Sequence, residues 1–135
     1  MTKKQENTNI DSKEFGIAVA KIAIERNCTD VVLMDLRGKS PATDYYLIAT
    51  GTSNRQIRTV ADEITEMAKE NKWVKFGQAG YDEGRWVLQD YVDVVIHLFD
   101  DEYRDYYDLE MLWGDAKQVP LGIEEAKAQS DLDTD

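Results

Sequence analysis

From Phe15 to Ile24 the apolar positions recur with helical spacing. Phe15, Ala18, Val19, Ile22 and Ala23 stand at i, i+3, i+4, i+7 and i+8, and Ile17 and Ile24 widen the face. Asp11 followed by Glu14 has the form of a capping box, and Asn27 suits the C-terminal end of that helix. The pattern then changes to short apolar runs. Val31-Val32-Leu33-Met34, between Asp30 and Asp35, predicts a buried strand. Arg37 to Pro41 reads as a turn, and Tyr45 to Thr50 predicts a second strand ended by Gly51. Helical spacing returns with Ile57, Val60, Ala61, Ile64, Met67 and Ala68, behind a Ser53-x-x-Gln56 start signal.

Trp73-Val74-Lys75-Phe76 predicts a third strand, and Gly77 to Gly84 a glycine-containing loop. Trp86-Val87-Leu88 and Asp93 to Phe99 predict two further strands, close enough in sequence to pair as a hairpin. A last helix is expected from a cap at Asp100 or Asp101 through Trp113, with Gly114 as its C-terminal glycine. The strand–helix–strand unit from 45 to 76 calls for a right-handed parallel crossover. The expectation is therefore a single α/β domain over 10–115, with a mixed five-stranded sheet and helices packed on it. Residues 116–135, rich in Asp and Glu and poor in large apolar residues, read as a mobile acidic tail.

Composition narrows the function classes. The 135 residues carry 16 Lys+Arg against 27 Asp+Glu, a formal net charge of −11. Such a field repels phosphate backbones, so direct reading of nucleic acid is not expected, whereas a basic protein is a natural partner. No apolar run reaches the ~20 residues that cross a bilayer, so no membrane association is expected. The N-terminus shows neither an unbroken apolar stretch nor a small-residue cleavage site, and the single cysteine, Cys28, forms no internal disulfide. These features predict a cytoplasmic protein.

Three features bear on chemistry. Gly51-Thr52-Ser53, a glycine between a strand and a capped helix, has the outline of a phosphate site, but it lacks GxGxxG and GxxxxGK[ST]; a tight turn plus cap is the simpler reading. The same Gly-Ser occurs in nucleotidyltransferases, which also need paired acids on a nearby strand to hold Mg²⁺. The 73–76 segment offers a lysine and no acid. His97, the single histidine, stands on one strand face with Asp93; it can form an orienting pair with that acid or be a structural or interface residue. Cys28 at a helix end is either slightly activated or a small residue filling a turn. No catalytic residue, metal site or cofactor is expected.

The 101–113 segment interleaves Tyr103, Tyr106, Tyr107, Leu109, Met111, Leu112 and Trp113 with Arg104, Asp105, Asp108 and Glu110. One helical face cannot hold all these apolar groups, so they are core on two sides or part of an interface. Trp86, Leu88 and Asp90 alternate onto one strand face. With Asp93, His97, Arg104 and Tyr107 they form the expected protein-binding surface. Exposed aromatics there would equally suit pairing of two copies of the chain.

Three segments together carry a family resemblance: DYYLIATGTSNRQ at 44–56, WVLQDYVDVVIH at 86–97 and YDLEMLW at 107–113. In this order and spacing they resemble the ribosomal silencing factor, or Iojap, family over about residues 12–115. The resemblance implies a non-enzymatic translation repressor with a nucleotidyltransferase-like fold lacking the catalytic acids. It implies binding to the large ribosomal subunit through that subunit's ribosomal protein fourteen, which blocks docking of the small subunit. The alternative is a nucleotidyltransferase-like enzyme using Ser53 and the aspartates. Two positions depart from the family pattern. Val92 stands where glycine is usual, which predicts a backbone there that does not rely on positive φ, and Ala79 replaces a common acid before Gly80.

Overall fold

The computed structural model describes residues 8–122. Helix α1 (Ser12–Glu25) is opened by the expected capping box: Asp11 Oδ1 accepts the Glu14 backbone N–H at 2.8 Å, and Glu14 accepts that of Asp11 at 2.9 Å. Its buried stripe is Phe15, Gly16, Val19, Ala20, Ala23 and Ile24, about one position round from the predicted face, leaving Ala18 and Ile22 half-buried. Arg26 caps the end and Asn27 takes the left-handed conformation at φ 70°. Strands β1 (Thr29–Asp35) and β2 (Tyr45–Thr50) pair antiparallel, and helix α2 (Asn54–Glu70) follows. Ile57, Val60, Ala61, Ile64 and Ala68 of α2 are buried, and Met67 packs at the edge of the core, as the spacing predicts.

Strands β3 (Gly77–Ala79), β4 (Trp86–Asp90) and β5 (Val94–Phe99) come next, then short helices α3 (Asp101–Tyr106) and α4 (Leu109–Leu112) and strand β6 (Lys117–Gln118). The sheet order is β3-β4-β5-β2-β1-β6; β2 and β5 run parallel and every other neighbouring pair is antiparallel. The crossover through α2 thus joins β2 to a strand of the same direction, but at the far edge, with β5 and β4 lying between them. Helices α1 and α2 cover one face of the sheet and enclose the main core with Leu33, Leu47, Ala49, Val87, Ile96 and Leu98.

Four expectations need correction. The sheet has six strands, not five. The third strand is not 73–76: Trp73 turns into the core, stacks on Phe15 at 4.4 Å between ring centroids and donates its indole N–H to the Ile10 carbonyl, so β3 begins only at Gly77. The helix expected through Trp113 breaks at Tyr107–Asp108, where Asp108 accepts the Met111 N–H and starts α4, and Gly114 does not take the left-handed cap conformation. Residues 116–122, assigned to the tail, belong to the fold: Lys117 and Gln118 pair with β1, and Val119 and Leu121 are buried. Residues 123–135 of that tail, and the first seven residues, lie outside the described residues.

The departure at Val92 resolves against the expectation. Its φ is +71°, the left-handed region that a β-branched side chain adopts only under strain, and the Asp90 carboxylate steadies the turn by accepting the Val92 N–H at 2.8 Å. The backbone at this position is glycine-like without the glycine.

Candidate docking surface

Alternation along each strand sends a second set of side chains to the face opposite α1 and α2. Trp86, Leu88 and Asp90 of β4 fall on it, as predicted; all three are half-buried, between the buried Val87 and Gln89. In register beside them lie His97 and Phe99 of β5, with Leu88 opposite His97 and Trp86 opposite Phe99. Ile48 of β2 and Met34 of β1 continue the face inward, and Tyr46, Tyr103, Leu109 and Trp113 pack against it.

Trp86 is the hub. Its ring lies 4.9 Å from Phe99 and 4.7 Å from Tyr107, and its indole N–H donates to Nδ1 of His97 at 3.2 Å. That bond fixes the histidine as the tautomer protonated at Nε2. The Nε2 atom is buried without a hydrogen-bond partner among the described residues, and the Tyr46 ring stands 4.6 Å away. Burial pulls the His97 pKa down to about 4, so at neutral pH the ring is uncharged and accepts from Trp86. The orienting pair with Asp93 does not form through Nδ1, which is taken. Asp93 precedes β5, and its carbonyl receives the N–H groups of Asp44 and Tyr45.

Arg104 is not a surface residue. It is buried, donates to Thr50 Oγ1 at 2.8 Å and to Glu110 at 3.1 Å, and thereby ties α3 and α4 to the end of β2. An arginine so placed is a positioning group, held because an unpaired buried guanidinium would be costly. Tyr107, at the α3 terminus, is 37% exposed. Of the seven predicted binding residues, the fold brings Trp86, Leu88, His97 and Tyr107 together, leaves Asp90 at the end of the strand in the Val92 turn, and places Asp93 and Arg104 in structural roles.

The most exposed apolar groups nearby are others: Tyr106 and Met111 at 78% and Leu112 at 69%. In sequence they are interleaved with Asp105, Asp108 and Glu110, and these three acids line a cleft of about 390 Å³ with Asp30, Val32 and Arg104. On the other side of α3, Arg85 lies over the Tyr103 ring at 4.2 Å and pairs with Asp100 and Glu102. The sequence signal for this patch was the excess of apolar residues over what one helix face can bury. The helix break that turns Tyr106, Met111 and Leu112 outward was not anticipated.

The Gly51 turn is filled by protein. A Cβ at Gly51 would fall 2.4 Å from Ile57 Cγ1 and 2.8 Å from Gln56 Oε1, so glycine is needed for close approach. Ser53 Oγ accepts the Gln56 N–H at 3.0 Å. Gln56 does not complete the box on the Ser53 N–H; its side chain accepts from the Thr52 N–H and donates to the Arg26 carbonyl, both at 2.5 Å, stitching α2 to the end of α1. Around this turn the N–H groups of Gly51, Thr52 and Gln56 are engaged by Phe99, Gln56 and Ser53. Cys28 is buried and its thiol is pushed up to about 11, the turn-filling reading rather than the activated one. Among the described residues no group of His, Cys, Asp and Glu is arranged to hold a metal ion, and no helix is long and apolar enough to cross a membrane.

The family described as ribosomal silencing factor during starvation matches residues 9–135. The ribosomal silencing factor RsfS of Bacillus subtilis is 44% identical over 97 residues, which cover 72% of this chain and 82% of that protein. A crystal structure of a protein from Chromobacterium violaceum superposes with a TM-score of 0.74 at 32% identity, covering 82% of this chain and 91% of the other. A mouse relative named mitochondrial assembly of ribosomal large subunit protein 1 is 32% identical over 94 residues, 66% of this chain and 40% of its own length. With the match running through the sheet, the Trp86–His97 face and the α3–α4 segment just described, the chain belongs to the ribosomal silencing factor family.

Proposed function

We propose that this chain is a cytoplasmic, non-enzymatic repressor of translation that docks on the large ribosomal subunit and sterically prevents the small subunit from joining. The docking surface is the α3–α4 patch together with the Trp86 edge of the sheet. Its partner is a basic protein of that subunit, ribosomal protein fourteen. The observation that carries this reading is the exposure of Tyr106, Met111 and Leu112 on the short α3–α4 segment, which in sequence also carries Asp105, Asp108 and Glu110. An apolar centre with an acidic rim suits a protein whose surface is rich in lysine and arginine. The mouse relative's name, which refers to the ribosomal large subunit, points to the same kind of partner. A steric blocker needs no chemistry, and the enzyme alternative has less support, because the Gly51 turn is occupied by Gln56 and Ile57.

The test is sedimentation of the full chain with separated ribosomal subunits on sucrose gradients. The chain is expected to travel with the large subunit alone and to reduce the yield of joined ribosomes when the small subunit is added. Travel with the small subunit, or undiminished joining at saturating chain, would overturn the proposal. A metal-dependent nucleotide turnover abolished by a single Asp→Asn substitution would favour the enzyme instead.

A further inference from the structure

The last turn of α2 and the loop that leads to β3 differ in charge from the rest of this acidic chain. Lys69, Lys72 and Lys75 fall within seven residues, with Glu70 the one acid among them. None of the three lysines is in an ion pair among the described residues. Exposure alternates along the loop: Trp73 is buried beneath it, while Val74 and Phe76 are 56% and 55% exposed. Lys72 adopts φ 65° at the end of α2, a backbone conformation that glycine or asparagine would take at less cost.

The loop is also held in shape. Lys75 Nζ donates to Thr65 Oγ1 at 3.0 Å and to Gln78 Oε1 at 2.8 Å. The ammonium is thus anchored to α2 and β3, and the fully buried amide of Gln89 in β4 donates to the same two oxygens. Both recorded partners of Lys75 are neutral oxygens, and an ammonium has three donors, which leaves one for an anion. Burial and the nearby Lys69 pull the Lys75 pKa below its ordinary value, outweighing the opposing pull of the Asp62 carboxylate.

We infer that the 69–76 segment, the end of α2 and the loop after it, is a second contact surface, fitted to the phosphodiester backbone of an unpaired RNA segment, with Phe76 as a stacking platform for one base. The inference rests on the ribosomal reading above, since RNA flanks any protein docking site on a ribosomal subunit. Three cations beside an exposed aromatic ring are the elements with which proteins hold single-stranded nucleic acid without reading its sequence. The chain's net charge of −11 keeps the contact local, so it adds to the protein-mediated docking and does not replace it.

Two measurements on the full chain decide it. A photo-crosslinker placed at Phe76 is irradiated in the complex with large subunits and is expected to attach to RNA; attachment to protein, or none, overturns the inference. In parallel, affinity for large subunits is measured against salt. Lys69→Ala with Lys72→Ala should lower the slope of log K on log salt by about 1.5, and Phe76→Ala should weaken binding about fivefold or more. Unaltered melting temperatures would show that the fold survives, and an unchanged slope overturns the inference. If the unmodified chain does not bind large subunits at all, the parent reading fails separately. Binding of a labelled single-stranded RNA oligonucleotide at low salt, lost in the double lysine variant, then decides the loop alone.

Discussion

The two faces of the sheet come from the same strands but are covered in different ways. On one, α1 and α2 lay 14 and 17 residues across the strands and bury every large apolar group they bring inward. On the other, α3 and α4 span six and four residues, α4 buries none of its own side chains, and the cover is tied down by Arg104, by ring contacts to Trp86 and Tyr46, and by the two-residue strand β6. The first face is a folding core. The second is half core and half surface, the condition in which an apolar group can serve stability and recognition together. Trp86 illustrates it: packed on Phe99 and hydrogen-bonded to His97, it cannot be removed without disturbing the fold, so it is a poor probe of docking alone.

The contrast can be broken at its stronger side first. Phe15, fully buried between Trp73 and Tyr91, should cost about 3–5 kcal/mol when cut to alanine, read as a lower urea midpoint. A small loss would mean that the α1–α2 face is not the main source of stability. The second face has a pH signature instead. His97 has a folded pKa near 4, below its unfolded value of about 6.5, so the unfolded chain binds the extra proton first. Its contribution is fully present above pH 6.5 and is lost as pH falls from there to 4, a total of about 3 kcal/mol. Urea denaturation across that range, compared with His97→Gln, should show the variant losing less stability; parallel pH profiles would remove His97 from the account.

Recognition should separate from stability at the exposed positions. Tyr106→Ala and Met111→Ala should leave the melting temperature nearly unchanged and weaken binding to large subunits, by about 2 kcal/mol if either is a central contact. Normal binding by both would move the docking surface away from α3–α4. The smallest expected effect is a gain. Val92→Gly relieves a left-handed β-branched residue, and after the added entropy cost of glycine it should stabilise by about 0.5–1 kcal/mol. A loss of stability would show that the Val92 side chain contributes more by packing than its backbone costs.

What the sequence determined by itself is what depends on local chemistry. The Asp11–Glu14 box, the Ser53 cap, the stripe on α2 and the alternation of Trp86, Leu88 and Asp90 follow from neighbours a few residues apart, where spacing and side-chain type settle the geometry. The three family segments were readable for the same reason. Tertiary structure decided whatever required a partner from afar. Trp73 leaves its apparent strand because Phe15 offers a stacking surface that a ladder position does not. Lys117 and Gln118 become a strand because β1 has an open edge. Arg104 turns from surface cation to buried tie because Thr50 and Glu110 meet it there. His97 becomes a neutral acceptor because the sheet register sets Trp86 on the adjacent strand, and Val92 is held at positive φ by a turn that closes whichever residue occupies it.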